Sequence, residues 1–107
     1  MTIREFARLV LPIYRRERWR WSTNSRRVMR VPTELEIART IRRMVFHRRV
    51  LRQGFTSRSG GLIVKRCSAK TLIVAMMPRR YFRPSRYAQD PFFDPVFHPV
   101  VKEVVTL

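Results

Sequence analysis

The stretch "PRRYFRPSRYAQDP", residues 78–91, alternates cations with rings. Arg79, Arg80, Arg83 and Arg86 are interleaved with Tyr81, Phe82 and Tyr87, and prolines flank the patch. A guanidinium is a planar fork that pairs bidentately with phosphate and stacks on bases. Aromatic rings add platforms for unstacked bases. No helical or strand period runs through these residues, so they are expected to form a loop that presents both chemistries to RNA. The competing reading is an extended connector crossing a protein surface.

Two further groups of cations are candidate phosphate contacts. Arg39, Arg42, Arg43, Arg49 and Arg52 fall between the apolar positions of an amphipathic segment, residues 33–53. Lys65, Arg66 and Lys70 fall in and beside a β-rich stretch. The alternative for the first group is a solvated basic face on a helix docked to protein.

Chemistry of other kinds has little to stand on. The acids are Glu5, Glu17, Glu34, Glu36, Asp90, Asp94 and Glu103, and they form no catalytic constellation. There is no Gly-rich phosphate loop, nucleophile elbow or zinc signature. Cys67 is the single cysteine and His47 and His98 are the two histidines, at spacings that match no metal motif. The expectation is a protein that is not an enzyme, with no metal, no cofactor and no small-molecule substrate.

The charge explains where a partner would come from. The chain has 107 residues and a formal net charge of +17. Residues 1–89 hold 23 Lys+Arg against four acids, a net of +19, whereas residues 90–107 carry −2. Like charges repel in a compact chain, and a polyanion relieves that repulsion. Nucleic acid is the first candidate, and an anionic membrane surface the second. Arginine outnumbers lysine 21 to 3, from a GC-rich coding sequence or from use of the guanidinium fork. No apolar run approaches the ~20 residues that would span a membrane.

The elements that position these residues follow from periodicity. Residues 1–21 place Ile3, Phe6, Val10 and Ile13 at helical spacing, with Arg4, Arg8 and Arg15 on other faces. Pro12 argues for a kink or break. The segment is amphipathic, arginine-rich and poor in acids, as organellar import segments are, although Glu5 and Glu17 are out of pattern. Trp19 and Trp21 are read as stacking on bases or packing on a partner protein. Residues 22–31 read as a loop.

Thr33 and Glu36 form a capping box that opens a helix over 33–53, and Gly54 follows it. Leu35, Ala38, Ile41, Val45 and Leu51 trace its apolar stripe, widened by Ile37, Met44 and Phe46. Residues 54–61 read as a flexible joint. Residues 62–67 and 71–77 are strands of a hairpin turning at Ser68, Ala69 and Lys70, and residues 100–106 supply a third strand. Cys67 reads as a small buried residue. Phe93, Asp94 and Pro95 form a structural turn in which Asp94 accepts backbone hydrogen bonds.

The expected fold is therefore α+β: a small three-stranded antiparallel sheet preceded by a basic helix and an extended or helical N-terminal arm. Residues 1–59 form a basic extension and residues 60–107 a β-ribbon domain. In the alternative, the helix docks on the sheet to make one small α+β domain.

Residues 60–107 resemble large-subunit ribosomal protein thirty-three in its zinc-free organellar form. Leu62, Ile63, Val64 and Lys65 with Ser68 and Ala69 match that family's first strand and turn. Phe93, Asp94, Pro95 and Val96 match its aromatic-Asp-Pro-Val element, and His98, Lys102 and Glu103 its closing His…Lys-Glu. The chain departs from the pattern in lacking glycine in the turn. It also has "MMPRRYFRP" for a Thr-Lys-Asn loop, a shorter gap before His98, and no zinc-binding cysteine pairs. The resemblance implies a three-stranded ribbon on large-subunit rRNA that neutralises phosphates and bridges neighbouring ribosomal proteins. It implies a ribosome-bound place in the mitochondrial matrix, and not a stand-alone homo-oligomer. The rival expectations are an accessory subunit of an organellar membrane complex, held by the amphipathic N-terminal region, and a nucleoid protein.

Overall fold

A computed structural model describes residues 1–22, 29–45, 56–77 and 99–107. The expected helix residues 46–53, and the strand-flanking and loop residues 78–98, lie outside the described residues.

Helix α1, Ile3–Arg16, begins at a capping box. The Thr2 hydroxyl accepts from the Glu5 N–H at 3.1 Å, and the Glu5 carboxylate accepts from the Thr2 N–H at 3.0 Å. Two N–H groups that a helix start leaves unpaired are thereby satisfied. Ile3, Phe6, Ala7, Val10 and Tyr14 recur every three or four residues and are buried. Ile13, expected in that stripe, is only half-buried, and Tyr14 takes its place. Pro12 does not break the helix: it lies on the exposed face.

The helix stops at Glu17 and Arg18. Arg18 has φ +56, the Arg18 N–H donates to the Arg15 carbonyl, and the Trp19 N–H donates to the Tyr14 carbonyl at 3.0 Å. This paired closure satisfies the last carbonyls, and the Tyr14 and Trp19 rings pack across it, edge to face at 6.3 Å.

Strands β1, Trp21–Ser22, and β2, Met29–Arg30, pair antiparallel where a loop was expected. Helix α2, Glu34–Val45, opens at the expected box. Thr33 N–H donates to the Glu36 carboxylate at 3.0 Å, and Glu36 N–H to the Thr33 hydroxyl at 3.2 Å. Its buried stripe is Ile37, Ala38, Thr40, Ile41, Met44 and Val45. Leu35 is not in it, at 42% exposure.

The sheet runs β3-β4-β5-β6, all antiparallel: Thr56–Ser59, Leu62–Arg66, Thr71–Met76 and Val101–Thr106. The fold is α+β, and the three expected strands are present. β3 is an addition within the stretch expected to be a flexible joint. Its physical cause is the turn that follows. Ser59 pairs with Leu62, so only Gly60 and Gly61 make the connection, at φ +58 and +84. Glycine tolerates positive φ, and two such residues give the twist that a tight hairpin needs.

Leu62 and Val64, Leu72, Val74 and Met76, and Val105 share the sheet face toward the helices. They form one core with Ile3, Phe6, Val10 and Tyr14 of α1 and Ile37, Ile41 and Met44 of α2. Residues on both sides of position 60 thus share a single core. Ile63 and Ala75, paired in register on the opposite face, are also fully buried. Cys67 is half-buried rather than buried, at the hairpin turn where its N–H donates to the Thr71 carbonyl.

Candidate nucleic-acid interface

The acids of the described helices are committed to contacts within the fold. Glu34, at the start of α2, accepts from Arg4 Nε at 3.1 Å and Arg8 Nε at 3.2 Å. Glu36 accepts from Arg30 Nη1 at 2.8 Å. Partial burial pushes the Glu36 carboxyl up, but the Thr33 hydrogen bonds and the Arg30 charge outweigh it, and its pKa sits below the ordinary value. Hydrogen bonds from Thr2 hold the Glu5 carboxyl below its ordinary value as well.

The other end of α2 is different. Arg39, Arg42 and Arg43 are exposed, and their spacing of three and four puts them on neighbouring positions of one face. None takes an acid partner among the described residues. A stripe of guanidiniums without counter-charges is a surface that phosphates would neutralise.

Arg42 also borders a pocket of about 430 Å³ between the start of α1, the end of α2 and the β4–β6 side of the sheet. Arg4 and Arg66 border the same pocket. Arg66 Nη1 donates to the Ala69 carbonyl at 2.9 Å, so this side chain also braces the hairpin turn. Leu107 lines the pocket and donates its N–H to the Lys70 carbonyl at 2.8 Å, which places the exposed Lys70 turn beside it. Lys65 stands half-buried in β4, in register with Thr56 and Ile73.

The structure therefore gathers Arg42, Arg66 and the Lys70 turn, with Arg39 and Arg43 along the adjoining helix. Arg49, Arg52, Arg79, Arg80, Tyr81, Arg83, Arg86 and Tyr87, and the expected turn at Phe93, Asp94 and Pro95, lie outside the described residues. Arg4 was not among the expected contacts. The signal that locates it is the Thr2-x-x-Glu5 box, which starts α1 at Ile3 and fixes Arg4 in its first turn.

Trp19 and Trp21, expected on bases or on a partner, are taken up inside the fold. Trp21 Nε1 donates to the Gly60 carbonyl at 2.9 Å, and the Tyr14 hydroxyl donates to the same oxygen at 2.7 Å. The Tyr14 and Trp21 rings meet edge to face at 5.5 Å. Burial pushes the Tyr14 phenol far above its ordinary pKa, so it stays a donor. Both tryptophans border the glycine turn, which has no side chains to keep them away.

Among the described residues no group of three His, Cys, Asp or Glu could hold a metal, and no helix is long and apolar enough to cross a membrane. Comparison with protein-family models, with curated proteins and with solved structures finds no match.

Proposed function

We propose that this chain is a structural protein of the large subunit of a mitochondrial ribosome, bound to rRNA and bracing neighbouring proteins. The observation that carries the reading is the Arg39, Arg42 and Arg43 stripe, exposed and without acid partners among the described residues, on a chain of net charge +17. The resemblance of residues 60–107 to ribosomal protein thirty-three supports the choice of subunit, and the antiparallel β4-β5-β6 order is compatible with the ribbon it implies. The membrane-complex alternative draws on the amphipathic start and its tryptophans. In α1 the apolar stripe is packed against this chain's own core, and Trp19 and Trp21 face its own turn, which leaves that reading less to work with.

Sedimentation of the tagged protein in organelle lysate is the test. The protein should travel with the large subunit and leave that position after ribonuclease. Migration with membranes that survives ribonuclease would overturn the proposal. Binding of the isolated chain to structured RNA should also weaken steeply with salt, because each neutralised phosphate releases counterions. Replacing Arg39, Arg42 and Arg43 together by alanine should reduce the slope of log affinity against log salt by about 1 for each phosphate no longer neutralised.

A further inference from the structure

The pocket bordered by Arg4, Arg42 and Arg66 has a second property besides charge. Its floor is built from Ile3, Val45 and Leu107, and its wall is mainly apolar. A purely electrostatic phosphate site needs no such floor. A purely apolar pocket would not have three arginines among its lining residues, one of which, Arg42, is exposed and without an ion pair to a described acid. The combination asks for a ligand with an anion at one end and a body that leaves water readily at the other.

We infer that this pocket takes a single unstacked nucleotide of an RNA chain, with the base against the apolar floor and its phosphates against the arginines. The inference rests on the RNA-binding reading above and names the part of the RNA that enters. Sequence-selective RNA contact favours splayed-out nucleotides, whose faces lie on apolar, aromatic or guanidinium surfaces. The volume of about 430 Å³ falls in the range of small-ligand clefts. The Arg42 side chain is exposed, with no hydrogen bond or ion pair to a described residue, so it can turn its fork to a phosphate. Arg4 gives Nε to Glu34 and keeps its terminal nitrogens as further donors. Charge also favours a nucleotide over an acyl carboxylate. Consecutive phosphates of an RNA strand can meet more than one guanidinium, and a lone carboxylate meets one fork.

The test is a titration of the full chain, followed by amide chemical shifts, with adenosine 5′-monophosphate, adenosine, inorganic phosphate and a short-chain fatty acid. The monophosphate should shift the amides of Ile3, Val45 and Leu107, and bind at least tenfold more tightly than adenosine or phosphate alone. Arg42→Ala should weaken it about tenfold, and Arg15→Ala, exposed at the far end of α1 and outside the pocket, should leave it unchanged. Equal binding of phosphate and monophosphate would overturn the inference, as would preference for the fatty acid or shifts confined to the Arg39 side. Structured RNA measured in parallel separates the two levels. If RNA binds with full salt dependence and the monophosphate does not occupy the pocket, only the inference fails. If neither binds, the RNA reading fails with it.

Discussion

Gly60 is the position where a single atom matters most. Its carbonyl accepts from both Tyr14 and Trp21, and a Cβ added there would come within 2.5 Å of the Trp21 ring. Its φ of +58 also disfavours any L side chain. Gly60→Ala should therefore cost on the order of 3 kcal/mol, combining backbone strain with overpacking. Gly61→Ala meets Trp19 at 3.2 Å, a softer contact, and should cost less. Urea midpoints of the two variants check the order. Arg18 is the converse case. It holds φ +56 at the end of α1 with a side chain that dislikes it, so Arg18→Gly should raise stability by about 1 kcal/mol. An unchanged or lowered midpoint would mean that the arginine side chain contributes something its backbone position hides. Neither site was legible beforehand. Trp19 and Trp21 look like contact residues among arginines, and nothing local says that their partner is a glycine pair some 40 positions later.

At the scale of elements, both helices begin with a carboxylate that accepts from the residue capping the helix. Glu5 and Glu36 have lowered pKa values in the folded chain, so the unfolded chain holds their protons more tightly. Linkage then has a definite sign: stability rises with pH where the unfolded state binds more protons. The contribution is whole above the ordinary value of 4.5, starts to fade as pH falls below it, and is gone beneath the depressed folded values. Melting temperature should fall between about pH 5 and pH 3. A Glu5→Gln and Glu36→Gln double variant should flatten that fall while starting from a lower value at pH 7. A wild-type slope retained in the double variant would count against the boxes as its source. Elements with strong periodic or capping signals were readable: α2 from Thr33 and Glu36, and β4, β5 and β6 from their β-branched runs. Strand β3 was not, since "TSRS" has one β-branched residue and no apolar alternation. Leu35 was assigned to the wrong face for a geometric reason. At about 100° per residue it sits about 150° from the centre of the stripe that Ile37, Ile41 and Met44 define.

For the molecule as a whole, charge acts over the longest range. A net +17 on 107 residues repels itself in the compact state, and the ion pairs at Glu34 and Glu36 offset it only locally. Raising ionic strength from about 10 to 150 mM shortens the Debye length from about 30 Å to 8 Å and should raise the melting temperature. A polyanion that binds the folded chain should raise it further, with the logarithm of its free concentration above Kd. A melting temperature that falls with salt would show attraction, not repulsion, to be the larger long-range effect. The shared core was within reach of the sequence only as an alternative, because amphipathic stripes on α1 and α2 say that a partner face exists without saying whose. The structure supplies it from the sheet of the same chain. That closure gives the protein an optical reporter of its own. Its two tryptophans both abut the glycine turn, and the hydrogen bonds there join residues 46 and 39 positions apart. Emission from Trp21 should therefore change mainly when the far end of α1 closes onto the sheet, whereas Trp19 also senses the local closure against Tyr14. In a stopped-flow experiment the interval between the far-ultraviolet signal and the Trp21 part of the fluorescence signal would time that closure, with no label added.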